Sequence, residues 1–220
     1  MPEGEAAVIM RGNEILWQRS KLPTEYQEVA FLRATGEQWI DTGYAFVDDF
    51  AWEIIFEDPS TGGTLFGGRT SATRTAVLYY GNAQNNNNVP FISCSVAAYN
   101  GNTTPFKLGA LSKGRHVVKM SINKNKGSAW VDGVKMYNDT PFSGGYISGV
   151  TQGIFADNYG NGKISEYSSS KVYGLKMWQG EILVRNFVPC YRKTDGKPGM
   201  YDIAGSKFYE NSGSGEFMLE

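Results

Sequence analysis

The chain has 220 residues, enough for one large domain or two small ones at roughly 100–200 residues each. Its 21 Lys and Arg against 22 Asp and Glu leave a net charge of −1, without the cationic excess that binding to a nucleic-acid backbone requires. Twenty-seven glycines, 14% aromatic and only 20% charged residues exclude disorder and a helical bundle, and describe a turn-rich β protein with an ample core.

Residues 1–24 read as a segment of their own. Ala7-Val8-Ile9-Met10 and Glu14-Ile15-Leu16-Trp17 are short apolar runs around Arg11-Gly12-Asn13-Glu14, which predicts a small hairpin or an extended arm closed by Leu22-Pro23. The start is acidic where a secretory signal needs positive charge, so synthesis in a cytoplasm without export by the general route is expected. No apolar run approaches the ~18 residues of a membrane span. From Glu25 onward strand signals alternate with turns, and one β domain over 25–220 is expected.

Ala51 to Glu57 alternates, with Trp52, Ile54 and Phe56 on a core face and Glu53 and Glu57 opposite. His116, Val118, Met120 and Ile122 point inward from a second strand. Ser128 to Val131 forms a third, and Asp132-Gly133 is a two-residue hairpin turn whose central positions both want positive φ. Lys171–Trp178 and Glu181–Val188 flank Gln179-Gly180, a further hairpin. Strands at this spacing give a sandwich or a barrel. Three polar stretches read as exposed loops: the Asn85–Asn88 run, Tyr99 to Thr104, and Asp157 to Gly162. Cys94 and Cys190 read as buried free thiols, with a single bridge as the alternative.

Three separated motifs carry a resemblance. The opening run Leu22-Pro23-Thr24-Glu25-Tyr26-Gln27-Glu28-Val29 is followed by Thr35-Gly36-Glu37-Gln38-Trp39-Ile40-Asp41-Thr42-Gly43. In the middle stand Gly114-Arg115-His116-Val117-Val118 and Trp130-Val131-Asp132-Gly133. The close is Val188-Pro189-Cys190-Tyr191-Arg192-Lys193, then Gly199-Met200-Tyr201-Asp202 and Phe208-Tyr209-Glu210-Asn211-Ser212-Gly213. Over residues 14–220 the chain resembles the concanavalin A-like, laminin-G and pentraxin type of lectin-like domain found in surface proteins of bacteriophages, prophages and gut bacteria. The resemblance implies an all-β, two-sheet antiparallel jelly-roll sandwich with an N-terminal arm or hairpin. It also implies carbohydrate or surface binding, often on a phage tail or fibre.

That fold also hosts glucanases, whose carboxylates occupy alternate positions of one strand as Glu-x-Asp-x-Glu, and no such pattern occurs. Glu53 and Glu57 share a face, but four residues at about 3.3 Å each put their backbones about 13 Å apart, against about 5–5.5 Å between the carboxyls of a retaining pair. His116, the single histidine, lies among core residues and reads as structural. The Gly-x-Ser-x-Gly and Gly-x4-Gly-Lys-Ser/Thr motifs are missing. One His and two distant cysteines do not make a zinc site. The expectation is a protein that is not an enzyme and has no obligatory cofactor. Calcium remains open, because Asp48-Asp49 and Asp157-Asn158 with Asn161 offer hard oxygen donors that are equally ordinary turn residues.

A sugar is recognised by stacking on an aromatic ring while short polar side chains bond its hydroxyls. The loops holding Tyr99, Asn100 and Asn102, and Asp157, Asn158, Tyr159 and Asn161, combine those types and are the expected carbohydrate-binding residues. Tyr79-Tyr80-Gly81-Asn82 is a third such stretch. The expected role is a virion-surface protein binding host-cell glycan on a tail, fibre or head. It would attach to other virion proteins through the arm, in a homo-oligomer such as a trimer, with neither nucleic acid nor membrane as partner. The alternatives are a capsid-decoration or tail-assembly protein with protein partners only, and a bacterial surface carbohydrate-binding module.

Overall fold

A computed structural model describes residues 8–11, 14–18, 22–47, 49–57, 62–71, 74–82, 90–97, 106–124, 126–141 and 149–219. Asp48, the Asn85–Asn88 run and the whole Tyr99–Thr104 loop lie outside them. No helix occurs among the described residues.

Two sheets face each other. Sheet I runs from edge to edge as Phe106–Ala110, Pro90–Ala97, Arg74–Asn82, Gly63–Ser71, Thr151–Ile154 and Ile40–Ala45. A short pair, Asp157–Asn158 with Ile164–Ser165, is attached to it. Sheet II runs as Val134–Pro141, Lys126–Val131, Arg115–Asn123, Phe50–Glu57, Lys171–Gln179, Ile182–Arg192, Pro198–Asp202 and Lys207–Glu210. Tyr26–Glu28, Leu32–Arg33 and Met218–Leu219 extend it. Pairing is antiparallel except for one parallel bridge between Asn158 and Gly68. This is the expected jelly-roll sandwich. Separately, Val8–Arg11 pairs with Glu14–Gln18 as an antiparallel hairpin, the first of the two forms predicted for residues 1–24.

Alternation places the core. Phe50, Trp52, Ile54 and Phe56 are buried while their neighbours are partly exposed, and His116, Val118, Met120 and Ile122 are buried on the adjoining strand. Aromatic rings stitch the two sheets together. Phe46 stacks on Phe50 at 4.0 Å, and Phe66 of sheet I meets Trp52 of sheet II at 5.4 Å. At one flank Phe106 lies edge-on to Tyr137 at 5.0 Å. Edge-to-face and offset pairs of this kind contribute beyond the area they bury.

The predicted turns hold, with one adjustment. Asp132 and Gly133 take φ of 49° and 80°, the two positive values that such a turn demands. The other hairpin turns one residue later than expected: Gln179 pairs with Ile182, so the central residues are Gly180-Glu181. Gly180 takes φ 58°, which places the glycine first, as a type II′ turn prefers.

The separated motifs turn out to be physical partners. Cys190, Tyr191 and Arg192 pair with Glu28, Gln27 and Tyr26. Tyr26 packs on Tyr201 and Phe208 at 4.9 and 5.0 Å. Gly199 admits no side chain, because a Cβ there would strike the Phe208 ring at 2.6 Å. Cys190 is a free, buried thiol, as expected, and burial pushes its pKa up to about 12. It is inert for that reason.

Candidate carbohydrate-binding cleft

The open edge of sheet I, strand Ile40–Ala45, is where the first and last motifs meet. Asn211 is the hub. Its Oδ1 accepts the backbone N–H of Trp39 at 3.1 Å and of Gly213 at 2.9 Å, and its Nδ2 donates to the Gly215 carbonyl at 2.8 Å. The Ser212 N–H donates to the Trp39 carbonyl at 2.8 Å, and the Ser214 hydroxyl donates to Glu37 at 2.9 Å. Gln38 Oε1 accepts the N–H groups of Thr35 and Gly36, both at 2.8 Å, which bends the chain into the strand. Gly213 must be glycine: a Cβ would strike the Glu37 carbonyl, and would come within 2.9 Å of the Trp39 ring.

Beside this clasp opens a cleft of about 700 Å³. One wall carries Glu37, Trp39 and Asp41 together with Ser212–Ser214; the facing wall is the loop from Asn158 to Ile164; Tyr167 completes the rim. Gly149, Gly160, Gly162 and Gly213 line it, so backbone groups can be approached closely. Two carboxylates, Glu37 and Asp41, face one lysine, Lys163. Trp39 is 8% exposed and backs the wall, while Tyr167, partly exposed, offers a ring surface; with short hydroxyls, bare backbone and carboxylate acceptors these are the groups that hold a sugar by its apolar face and hydroxyls.

The structure redistributes the sequence-predicted site. Tyr99, Asn100 and Asn102 lie outside the described residues. Asp157 is fully buried and ion-paired with Arg69, so it is scaffold and not a sugar contact. Burial raises its pKa to about 6, although Arg69 pulls the other way. Asn158 lines the cleft but is 8% exposed. Its Nδ2 donates to the Thr151 carbonyl and hydroxyl, both at 3.0 Å, and its Oδ1 accepts the Gly160 N–H at 2.9 Å. Its polar atoms therefore fix the loop, in the manner of an Asx turn. Tyr159 is partly exposed, with Arg69 and Lys163 over its ring at 5.0 and 4.9 Å. Asn161 is exposed and accepts the Lys163 N–H at 3.1 Å. Tyr79 is half-buried in sheet I, and burial raises its pKa.

Of the calcium donors expected from the sequence, Asp48 lies outside the described residues. Asp157 is taken by Arg69, and the Asp49 carbonyl accepts the Gly180 N–H and Gln179 Nε2. Among the described residues no group of three acidic, His or Cys side chains could hold a metal. Glu57 is engaged on the outer face of sheet II: it accepts the Tyr173 hydroxyl at 2.6 Å and pairs with Lys171 at 3.1 Å, and these bonds lower its pKa. His116 is structural, as expected, with Nδ1 at 2.7 Å from Asp132 and Nε2 at 2.9 Å from the Ser112 carbonyl.

The sequence reading missed Glu37, Trp39, Asp41, Tyr167 and Ser212 as site residues. A signal was present, since four of the five stand inside the opening and closing motifs. What the motifs did not reveal is that they share a cleft.

The fold is a two-sheet antiparallel jelly-roll sandwich with a cleft at one sheet edge. No family model and no curated protein matches the chain. Among solved structures it is similar to a Bacteroides ovatus protein described provisionally as carbohydrate binding, with TM-score 0.52 and 12% identity over 88% of this chain. This chain spans 60% of that protein's length. It is also similar to a heptameric SAP-like pentraxin from Limulus polyphemus, with TM-score 0.48, 12% identity, and coverage of 72% of this chain and 77% of that one. Domains LG4-5 of the mouse laminin alpha1 chain give TM-score 0.45 and 13% identity, covering 79% of this chain and 48% of that one. At these identities the likeness is one of fold.

Proposed function

We propose that the chain is a lectin-like domain that binds carbohydrate without transforming it, and that the sugar sits in the cleft between Trp39 and the Asn158–Ile164 loop. One observation carries this reading: an aromatic ring, bare glycine backbone and two carboxylates open together at a sheet edge, the combination that neutral, hydroxyl-rich rings require. The provisional carbohydrate-binding description of the Bacteroides ovatus protein points the same way. Binding without hydrolysis is favoured by the missing Glu-x-Asp-x-Glu pattern.

The finer reading is a phage or prophage virion protein that engages glycan on a host cell from a tail, fibre or head surface. Its support is the sequence resemblance. In that reading the hairpin around Arg11–Glu14 docks onto neighbouring virion proteins, the assembly is a homo-oligomer such as a trimer, Tyr159 and Asn161 add sugar contacts from the loop that walls the cleft, and Tyr99, Asn100 and Asn102 add sugar contacts of their own.

The test is binding of a multimerised, labelled protein to a glycan array and to intact bacterial cells, because avidity raises weak single-site binding by ~10²–10⁴. Specific binding lost in Asp41→Asn and weakened in Tyr159→Ala supports the reading. Silence on both surfaces, with stoichiometric association to a particle, moves the function to decoration or assembly. Reducing sugar released from a bound polysaccharide, and abolished by Asp41→Asn, would make the protein an enzyme.

A further inference from the structure

The outer face of sheet II carries a different chemistry from the cleft. Cross-strand register sets Lys135, Trp130, Lys119, Glu53 and Lys176 side by side across five neighbouring strands. All five point away from the core, since Val118, Met120, Ile54 and Met177 between them are buried. Two rungs further, beyond Val117 and Ile55, stand Arg115, Glu57 and Lys171. Together the two sets contain five cations and two carboxylates in a chain whose net charge is −1. Of the carboxylates at the margin, Asp132 is held by His116 and Asp139 accepts the Ser128 hydroxyl.

Aromatic surface is interleaved with that charge. Lys119 Nζ lies 5.6 Å from the Trp130 ring centre and 5.7 Å from that of Trp178. The two indoles are therefore no further apart than those distances together, with an ammonium between them. Lys135 lies 4.9 Å from Trp130 on the neighbouring strand. A cleft of about 540 Å³ opens beside Trp130, lined by Glu53, Val117, Lys119, Asp132 and Gly133. Leu183, 38% exposed, pairs with Trp178 and continues the apolar surface.

We propose that this face is a second binding site, for a chain of acidic sugars. Two indoles offer stacking surfaces to the apolar faces of successive rings, and the lysines between and beside them meet carboxylates carried on those rings. A neutral polymer would leave Lys119 and Lys135, the ammonium groups beside Trp130, unused, and a polyanion without rings would leave the indoles unused. This assignment stands independently of what the cleft binds.

The experiment is affinity electrophoresis of the full chain in gels containing polygalacturonate, fully methyl-esterified polygalacturonate, or polyglutamate. Retardation is expected with polygalacturonate, at least tenfold weaker with the methyl ester, and weaker again with polyglutamate. Lys119→Gln is expected to reduce the polygalacturonate affinity at least tenfold with an unchanged melting temperature, and Trp178→Ala to do the same. Asp41→Asn, a cleft variant, should leave it intact. Equal retardation by polyglutamate would reduce the face to simple ion exchange and overturn the proposal. So would loss of binding in Asp41→Asn with retention in Lys119→Gln, or no retardation by polygalacturonate. If Trp178→Ala fails to fold, Lys119→Gln decides alone.

Discussion

The cleft and the outer face of sheet II are built by opposite strategies. The face is built by regular strand pairing: its residues lie on adjacent strands at alternate positions, and the same alternation that buries Trp52 and Met120 turns Glu53 and Lys119 outward. The cleft is non-local: Trp39 and Asn211, 172 residues apart in sequence, must meet before it exists. A surface written by period-two alternation tolerates substitution position by position. A site made by a clasp fails as a unit when one glycine is filled.

The largest effect should strike both regions at once. Trp52→Ala removes a buried indole beneath the face and against Phe66 of the opposite sheet, and a loss of about 3–5 kcal/mol is expected in denaturant unfolding. A loss below about 1 kcal/mol would mean the sheets do not share one core. Gly213→Ala separates the regions: crowding against the Glu37 carbonyl and the Trp39 ring is expected to cost about 1–3 kcal/mol. Array binding should vanish while polygalacturonate binding remains, and loss of both would couple the two sites.

His116 sharpens the comparison at the border of the face. The ring bridges the Asp132 carboxylate at 2.7 Å and the Ser112 carbonyl at 2.9 Å, tying the turn to the start of its strand. His116→Gln is expected to cost about 1 kcal/mol, below the ~1.5–3 kcal/mol of bonds to charged groups because Asp132 is half-exposed. Burial acts to raise the Asp132 pKa, but the Val117 N–H and His116 outweigh it and the net shift is downward. Asp132 therefore adds stability above the unfolded carboxylate pKa of about 3.9, and that contribution is lost as pH falls through the folded value. Urea titrations at acid pH should show this loss diminished in His116→Gln.

The smallest change at neutral pH is expected from Asp157→Asn, because Arg69, left without its partner, is partly exposed and can turn to water. Its signature is pH. With a folded pKa of about 6, above the unfolded value, the folded protein binds more protons between the two. Stability therefore rises as pH falls from above 6 toward 4, and drops as pH climbs back through that window. Melting temperatures across pH 4–7 should show the rise in the natural protein and not in Asp157→Asn.

Most of the sandwich was legible because alternation and turn chemistry are local. Trp52, Ile54 and Phe56 declare their face, and Asp132-Gly133 declares its turn. The Gly180 hairpin was displaced by one residue because Gln179 and Glu181 are equally plausible neighbours of a turn glycine, and strand register decides between them. The site was half legible. Composition singled out the Asp157–Gly162 loop, one wall of the cleft, but could not distinguish an Asn that meets solvent from Asn158, which spends its amide on Thr151 and Gly160. The buried Arg69–Asp157 pair joins two strands far apart in sequence, and no local pattern announces it.

The Asn211 clasp also governs when binding can begin during synthesis. Contacts of long sequence separation form late, after the loop between them has been closed. While the ribosome is still translating the segment before Asn211, Trp39 has no partner for its N–H, and the wall carrying Ser212 does not exist. A chain arrested short of Gly213 can already possess the strands that carry Lys119 and Trp178 while lacking the cleft altogether. A glycan that occupies the cleft would thus report that the chain has been made and folded through Gly213, passing over molecules that stop short of it.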